Sequence, residues 1–338
     1  MKEYKKPLLI AEVGLAHDGS LGIAKSFAKS AKENGADAIK FQFHDSKFES
    51  SSFEKFRKRF SYQDNSRQEY WDRTSFNFKE WAHLKNYCSK LGLYFVCSPF
   101  SVESAELLNK IGVDFWKIAS GEFSNLFLIE YIANKTNKPI ILSTGLAYNN
   151  EINQVVKFLK RKRKLFYLLQ CTSKYPTPLN EVGHSKMNFF KNKYKCKVGM
   201  SDHSGNLNSL ITSILLGAEI LEFHVTYDKN FFGPDTSSSI NFRNLKDLSN
   251  FKKDFLSINS KELNNSKNQS LKTKMSKLFK KSLYVKNNLS VGTIIKKDHL
   301  VALKPNIGIS VIDYKKIIGK KIKKNIKKNK LLKLKDLS

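Results

Sequence analysis

The chain has 338 residues, 41% hydrophobic and 27% charged, enough apolar material for a buried core, which excludes a disordered tail or a collagen-like repeat. Sixty Lys and Arg against thirty Asp and Glu leave a formal charge of +30, which makes anions the expected partners, from nucleic acid and acidic lipid down to small phosphates. Four cysteines without CxxC spacing exclude a disulfide scaffold, no apolar run nears the ~18 to 20 residues of a membrane span, and MKEYKKPLLIAEVG has no signal-peptide h-region, so a soluble cytoplasmic protein is expected.

Short apolar runs then recur in chain order: LLIAEVG (8–14), ADAIKFQ (36–42), YFVCSPF (94–100), FWKIAS (115–120), PIILSTG (139–145), KLFYLLQCT (164–172), KVGMSDH (197–203) and ILEFHVT (220–226). Between most of them lie stretches of helical period, such as FKEWAHLKNYCSKLG and VESAELLNKIG, that end in Gly as a helix C-terminus favours. Alternating buried strands and helices predict parallel pairing, and eight such units fit an α/β fold of the (β/α)8 TIM-barrel type better than an open sheet. The open sheet would want GxGxxG after its first strand, and GLAHDG lacks the middle glycine.

The segment from Asp45 to Asp72 is too long for an ordinary βα loop and is expected to be a lid or surface insertion. From Phe251 to Lys281 the chain becomes rich in Asn, Ser and Lys, as a tether with a single helix would be. The expected division is therefore a barrel over 1–255, a linker over 256–279 and a small β-rich domain over 280–338, too small to bury much without leaning on the barrel or a partner subunit.

Active sites of such barrels lie at the C-terminal ends of the strands, and here those ends are polar. In order they carry Glu12, with His17 following; Lys40 and Gln42; Ser98; Lys117, Ser120 and Glu122; Ser143 and Thr144; Gln170, Thr172 and Tyr175; Ser201, Asp202 and His203; and Glu222 with His224. Any one serine is at home as a cap or core hydroxyl. As a set, two lysines with Ser98, Ser120, Ser143 and Ser201 on one rim predict a site for a phosphate or carboxylate anion. His203 and His224 end adjacent strands and are candidate ligands for a divalent metal, Mn²⁺, Mg²⁺ or Fe²⁺ rather than thiolate-bound zinc; a hydrogen-bonded core histidine is the alternative for each.

At these residues the chain resembles the sialic acid synthase, or nonulosonate synthase, family. AEVGLAHDGS, DAIKFQ, CSPFS, WKIASGE, ILSTG, LLQCTSKYPTP, GMSDHSG and EFHVTYDKNFFGPDTSSS follow one another in the family's order, and the C-terminal segment is similar to its antifreeze-like SAF domain. The resemblance implies condensation of phosphoenolpyruvate with the aldehyde of an N-acylated amino sugar to a nine-carbon 2-keto-3-deoxy acid. It implies a phosphoenolpyruvate site of Lys40, Ser98, Lys117, Ser120, Ser143, Ser173, Tyr175 and Ser201, with Glu12, Lys40 and Lys117 as catalytic residues. The sugar would meet Glu122, Tyr175, Asp235 and Lys304, and a metal, Mn²⁺ foremost, would sit on His203 and His224. It further implies a homodimer with swapped C-terminal domains.

Departures gather on the acceptor side. Ala16 precedes His17 where the family has Asn, Ser173 replaces an Asn, His44 opens the 45–72 insertion, and Lys304-Pro305-Asn306 stands where Arg-Pro-Gly is usual. The rival readings are a polyanion- or nucleic-acid-binding barrel and another barrel aldolase. Residues 261–338 hold 22 Lys, no Arg and 4 acids, whereas nucleic-acid sites mix Arg and aromatics with Lys, so no nucleic acid is expected as partner.

Overall fold

The computed structural model describes residues 7–51, 53–56, 61–259 and 265–338; residues 1–6, parts of the 45–72 insertion (52 and 57–60) and 260–264 of the expected linker lie outside the described residues. The chain forms two compact units that divide between Leu256 and Ser257.

In the first unit eight parallel strands follow one another in chain order: β1 (Leu8–Gly14), β2 (Ala38–Phe43), β3 (Tyr94–Pro99), β4 (Phe115–Ile118), β5 (Ile140–Ser143), β6 (Phe166–Cys171), β7 (Lys197–Asp202) and β8 (Ile220–Thr226). Because β1 pairs with both β2 and β8, the sheet closes. A helix follows each strand on the outside, so the (β/α)8 barrel expected from the eight apolar runs is the fold observed and an open sheet is excluded. A two-residue strand, β9 (Ile240–Asn241), extends from the end of β8.

Alternation along each strand builds the barrel interior in layers. Leu8, Ile10, Ala38, Val96, Phe115, Ile141, Tyr167, Leu169 and Ile220 form one buried apolar cluster. Two residues further along the same strand faces stand Glu12, Lys40, Ser98, Lys117, Ser143, Cys171 and Glu222, all buried. One pleat, roughly 7 Å, thus separates an apolar plug from a charged layer. The intervening residues, among them Leu9, Ala11, Ile39, Phe41, Phe95 and Trp116, face outward into the helix layer.

Local signals explain the helix bounds. Phe78–Lys90 opens with a reciprocal capping box between Asn77 and Glu80. The glycines expected to end it and the helix Val102–Ile111 do so with left-handed backbone, Gly92 at φ +71° and Gly112 at φ +87°. The shift to Asn, Ser and Lys from Phe251 was expected to begin a tether, but it falls inside a helix, Phe242–Asn259, that buries Leu245, Leu248 and Lys252 on the barrel. Lys252 Nζ reaches Asp37 Oδ2 at 2.5 Å. Composition averages over both faces of an amphipathic helix, which is why the exposed face disguised it.

The second unit contains the helix Asn265–Phe279 and an antiparallel pair, β10 (Ser282–Val285) with β11 (Leu300–Leu303). It has its own apolar core, built around Leu283, Val285, Ile295, Ile317, Ile322 and Leu332. No helix among the described residues is long and apolar enough to cross a membrane.

Candidate active site

The charged layer is an ionic lattice. Strand register puts Glu12 beside Lys40 on one side and His224 on the other. Lys40 Nζ lies 2.7 Å from Glu12 Oε2 and 3.8 Å from Glu222 Oε1, and Lys117 Nζ lies 3.8 Å from the same Glu222 oxygen. Ser201 Oγ donates to Glu222 Oε1 at 3.1 Å, Gln42 Nε2 donates to Glu12 Oε1 at 2.8 Å, and Lys117 Nζ donates to the Ile118 carbonyl at 2.9 Å. The salt bridge considered for Glu12 from sequence is therefore present, to Lys40.

The two lysines are shifted in opposite directions. Burial lowers both, but the close Glu12 carboxylate and Glu222 more than offset it at Lys40, which ends above the ordinary lysine value. At Lys117 burial prevails over Glu222 and the value falls. Glu222 is driven up by burial and pulled further down by Lys117 and Lys40, so it stays ionised. Two carboxylates thus balance two cations in a layer sealed from water.

The hydroxyls expected around these lysines fall into two groups. Ser201 is engaged with Glu222, and Ser120 Oγ receives the Gly145 N–H at 3.2 Å and lies 3.4 Å from Cys171 Sγ. Ser98, Ser143 and Ser173 present buried hydroxyl oxygens with no hydrogen-bond partner among the described residues. Each orphan costs about 1–3 kcal/mol unless something supplies the bond. Gly145 makes room for this cluster: a Cβ there would collide with Ser173 Oγ and come within 2.9 Å of Ser120 Oγ.

His203 and His224 come together as expected, with ring centroids 5.5 Å apart, and Tyr175 stacks on His203 at 4.1 Å. Burial lowers His224, partly countered by Asp235, whose Oδ2 stands 3.9 Å from Nδ1. At His203 burial also lowers the value, but Cys171 and the Thr172 carbonyl, 3.0 Å from Nδ1, outweigh it and raise it. Among the described residues no three or more His, Cys, Asp or Glu are grouped to hold a metal ion. The pair fits an open site of two imidazole nitrogens, with water or substrate oxygen as the other ligands, and does not fit a closed cage.

Above this floor lies a cavity of about 360 Å³ lined by Gln42, His44, Ser120, Ser173, Tyr175, His224 and Asp235, all singled out in the sequence, and by Leu15, Phe56, Arg67, Tyr70, Trp71 and Phe100. Arg67, Tyr70 and Trp71 escaped the sequence reading because nothing there told which face of the 45–72 segment turns inward. Helix Arg67–Thr74 supplies them, and the Arg67 guanidinium lies over Trp71 at 4.6 Å while pairing with Glu54 at 3.0 Å. Glu122 is off the cavity wall, on the turn Ser120–Glu122, bonded to Asn125 at 2.8 Å, and raised by burial. Ala16 lies beside Pro234 and Asp235 in a small adjoining recess. Lys304 belongs to the second unit, where its ammonium lies 5.5 Å over the Phe279 ring.

Comparison with known proteins agrees with this architecture. Residues 27–261 match the model of the NeuB family and residues 280–338 that of the SAF domain. The chain is 34% identical to the N,N'-diacetyllegionaminic acid synthase of Campylobacter jejuni, over 97% of this chain and 99% of that one. It is 29% identical to a pseudaminic acid synthase of Campylobacter jejuni, over 96% and 94%. The crystal structure of N-acetylneuraminic acid (sialic acid) synthetase from Leptospira borgpetersenii superposes with a TM-score of 0.67 at 31% identity, covering 80% of this chain and 91% of that chain.

Proposed function

The chain belongs to the NeuB family, and on that premise we propose that it condenses phosphoenolpyruvate with the open-chain aldehyde of an N-acylated amino sugar. The product is a nine-carbon 2-keto-3-deoxy acid of the sialic, legionaminic or pseudaminic type, released with phosphate. The observation that carries the reading is the set of orphaned hydroxyls of Ser98, Ser143 and Ser173 in the same barrel mouth as a buried two-lysine layer, donors that a small phosphate- and carboxylate-bearing substrate would satisfy.

In the reaction C3 of phosphoenolpyruvate bonds to the aldehyde carbon, whose oxygen takes a proton and becomes a hydroxyl. Water adds at C2, and the C2–O bond to phosphate breaks. Lys40 and Lys117 hold the anion with Ser98, Ser120, Ser143, Ser173 and Ser201; Tyr175 and Asp235 flank the sugar. Glu12, held by Lys40 and Gln42 at 2.7 and 2.8 Å, is oriented to take the proton of the attacking water or to give one to the new hydroxyl. His203 and His224 would hold a divalent cation, Mn²⁺ foremost, which when bound would supply Lewis-acid polarisation of the aldehyde. The aromatic wall of Phe56, Tyr70 and Trp71 keeps bulk water from the reacting carbons.

The reading places the enzyme in the cytoplasm, where phosphoenolpyruvate is made, and makes it a homodimer in which Lys304 of one copy reaches the acceptor of the other. Sedimentation at micromolar concentration checks the latter, a monomer removing that role from Lys304. The condensation is tested by phosphate release from phosphoenolpyruvate with Mn²⁺ and a panel of N-acetylated hexosamines and their deoxy derivatives. Release with at least one acceptor, lost in His203→Ala, is expected; no release with any, or full activity in the variant, defeats it.

A further inference from the structure

A chain of three hydrogen-bonded groups leads away from Glu12, of which the chemistry above uses only the first link. Gln42 Nε2 donates to Glu12 Oε1 at 2.8 Å, Gln42 Oε1 faces His44 Nε2 at 3.0 Å, and His44 Nδ1 lies 2.7 Å from Glu49 Oε1. The side chains of His44 and Glu49 are only 5% and 3% exposed, and the second oxygen of Glu49 is buried without a hydrogen-bond partner. The imidazole is clamped flat between Trp71, 4.7 Å away at 9°, and Phe100, 4.1 Å away at 17°.

The order of donors follows from elementary chemistry. An amide oxygen only accepts, so His44 Nε2 carries hydrogen; in the neutral ring Nδ1 then accepts, and Glu49 must donate as the protonated acid. The reverse order would turn Gln42 about and set its oxygen against Glu12 Oε1, acceptor against acceptor. Burial pushes Glu49 up to about 8 and His44 down to about 3, the combination the first order needs. Around Glu49, Asp45, Glu54 and Glu122 add negative potential and Arg67 opposes them. Around His44, Arg67 and Lys40 lower the value, Glu54 and Glu12 raise it, and His17 stands nearby.

The geometry points to Glu49 and His44 as positioning residues that hold the Gln42 amide with its NH₂ toward Glu12 and thereby fix that carboxylate for proton transfer. The inference rests on the role given to Glu12 above. It also gives the 45–72 segment a task beyond covering the barrel mouth, since its first turn, Ser46–Glu49, carries the far end of the chain.

The test joins kinetics to a spectrum that needs no turnover. Glu49→Ala loses about tenfold or more in kcat while KM for phosphoenolpyruvate holds. Glu49→Gln, whose amide can still donate to Nδ1, is expected to retain most of kcat and to lack the alkaline decline expected of the wild type as Glu49 ionises above about 8. ¹⁵N NMR of histidine-labelled protein shows His44 as the neutral Nε2–H tautomer at pH 7. Retained kcat in Glu49→Ala, an unchanged alkaline limb in Glu49→Gln, or an Nδ1–H or doubly protonated His44 overturns the inference. If Glu49→Ala does not fold, the isosteric variant and the spectrum still decide. Absence of turnover in the wild type defeats the condensation reading instead, and the tautomer remains measurable.

Discussion

Lys40 and Lys117 look alike in the sequence and do different work for stability. Removing Lys40 leaves Glu12 buried without its cation, whereas Lys117 is a cation whose burial outweighs its company. Lys40→Met is therefore expected to destabilise by about 3–5 kcal/mol and Lys117→Met by much less, both abolishing phosphate release; urea unfolding beside the assay separates the two effects. Equal losses of stability would show that both lysines are held alike. Glu49 gives a pH dependence of known sign. Its ordinary value of 4.5 rises to about 8 in the fold, so between those values the folded chain keeps a proton that the unfolded one has released, and stability falls as pH rises through that window. Glu49→Gln should flatten this slope, seen as a thermal midpoint that gains on the wild type from pH 5 to pH 8; parallel curves would place the proton elsewhere.

At the scale of the element, strand ends and helix starts carry separate predictions. Gly145 follows β5, where any Cβ meets Ser173, Cys171 and Ser120. Gly145→Ala should raise KM for phosphoenolpyruvate about tenfold or more with little change in unfolding midpoint, since it displaces anion donors and leaves the core untouched. Asn77→Ala breaks the capping box of Phe78–Lys90 and should cost about 1 kcal/mol in urea unfolding without altering KM. These elements also show what the sequence can tell. β1 and β2 were readable as short apolar runs that close on polar residues, and the two-residue period of any strand then sets Ile10 with Glu12, and Ala38 with Lys40, on one face. The part of the cavity wall contributed by helix Arg67–Thr74 was not readable. Trp71 and Arg67 lie on a helix of eight residues, whose inward face depends on where the preceding loop enters. The contact between His44 and Glu49 needs the turn at Asp45, which no spacing rule announces.

Across the whole molecule the charge of +30 first suggested a long polyanion. Its distribution argues for a small one: residues 261–338 hold 22 Lys and 4 acids, a diffuse positive field whose reach shrinks from about 30 Å at 0.01 M salt to about 8 Å at 0.15 M. Raising NaCl over that range should lower kcat/KM for phosphoenolpyruvate while kcat holds; a flat response would leave the surplus lysines without a part in capture. The barrel floor has the opposite character. Lys40 and Lys117 are already matched by Glu12 and Glu222, so the layer is electrically matched at rest. On the proposed reading, an arriving anion would have to draw the lysines from carboxylates that lie within 4 Å of them. The resting match of two cations to two carboxylates would, on the same reading, compete with phosphate for the lysines and so favour release of the product.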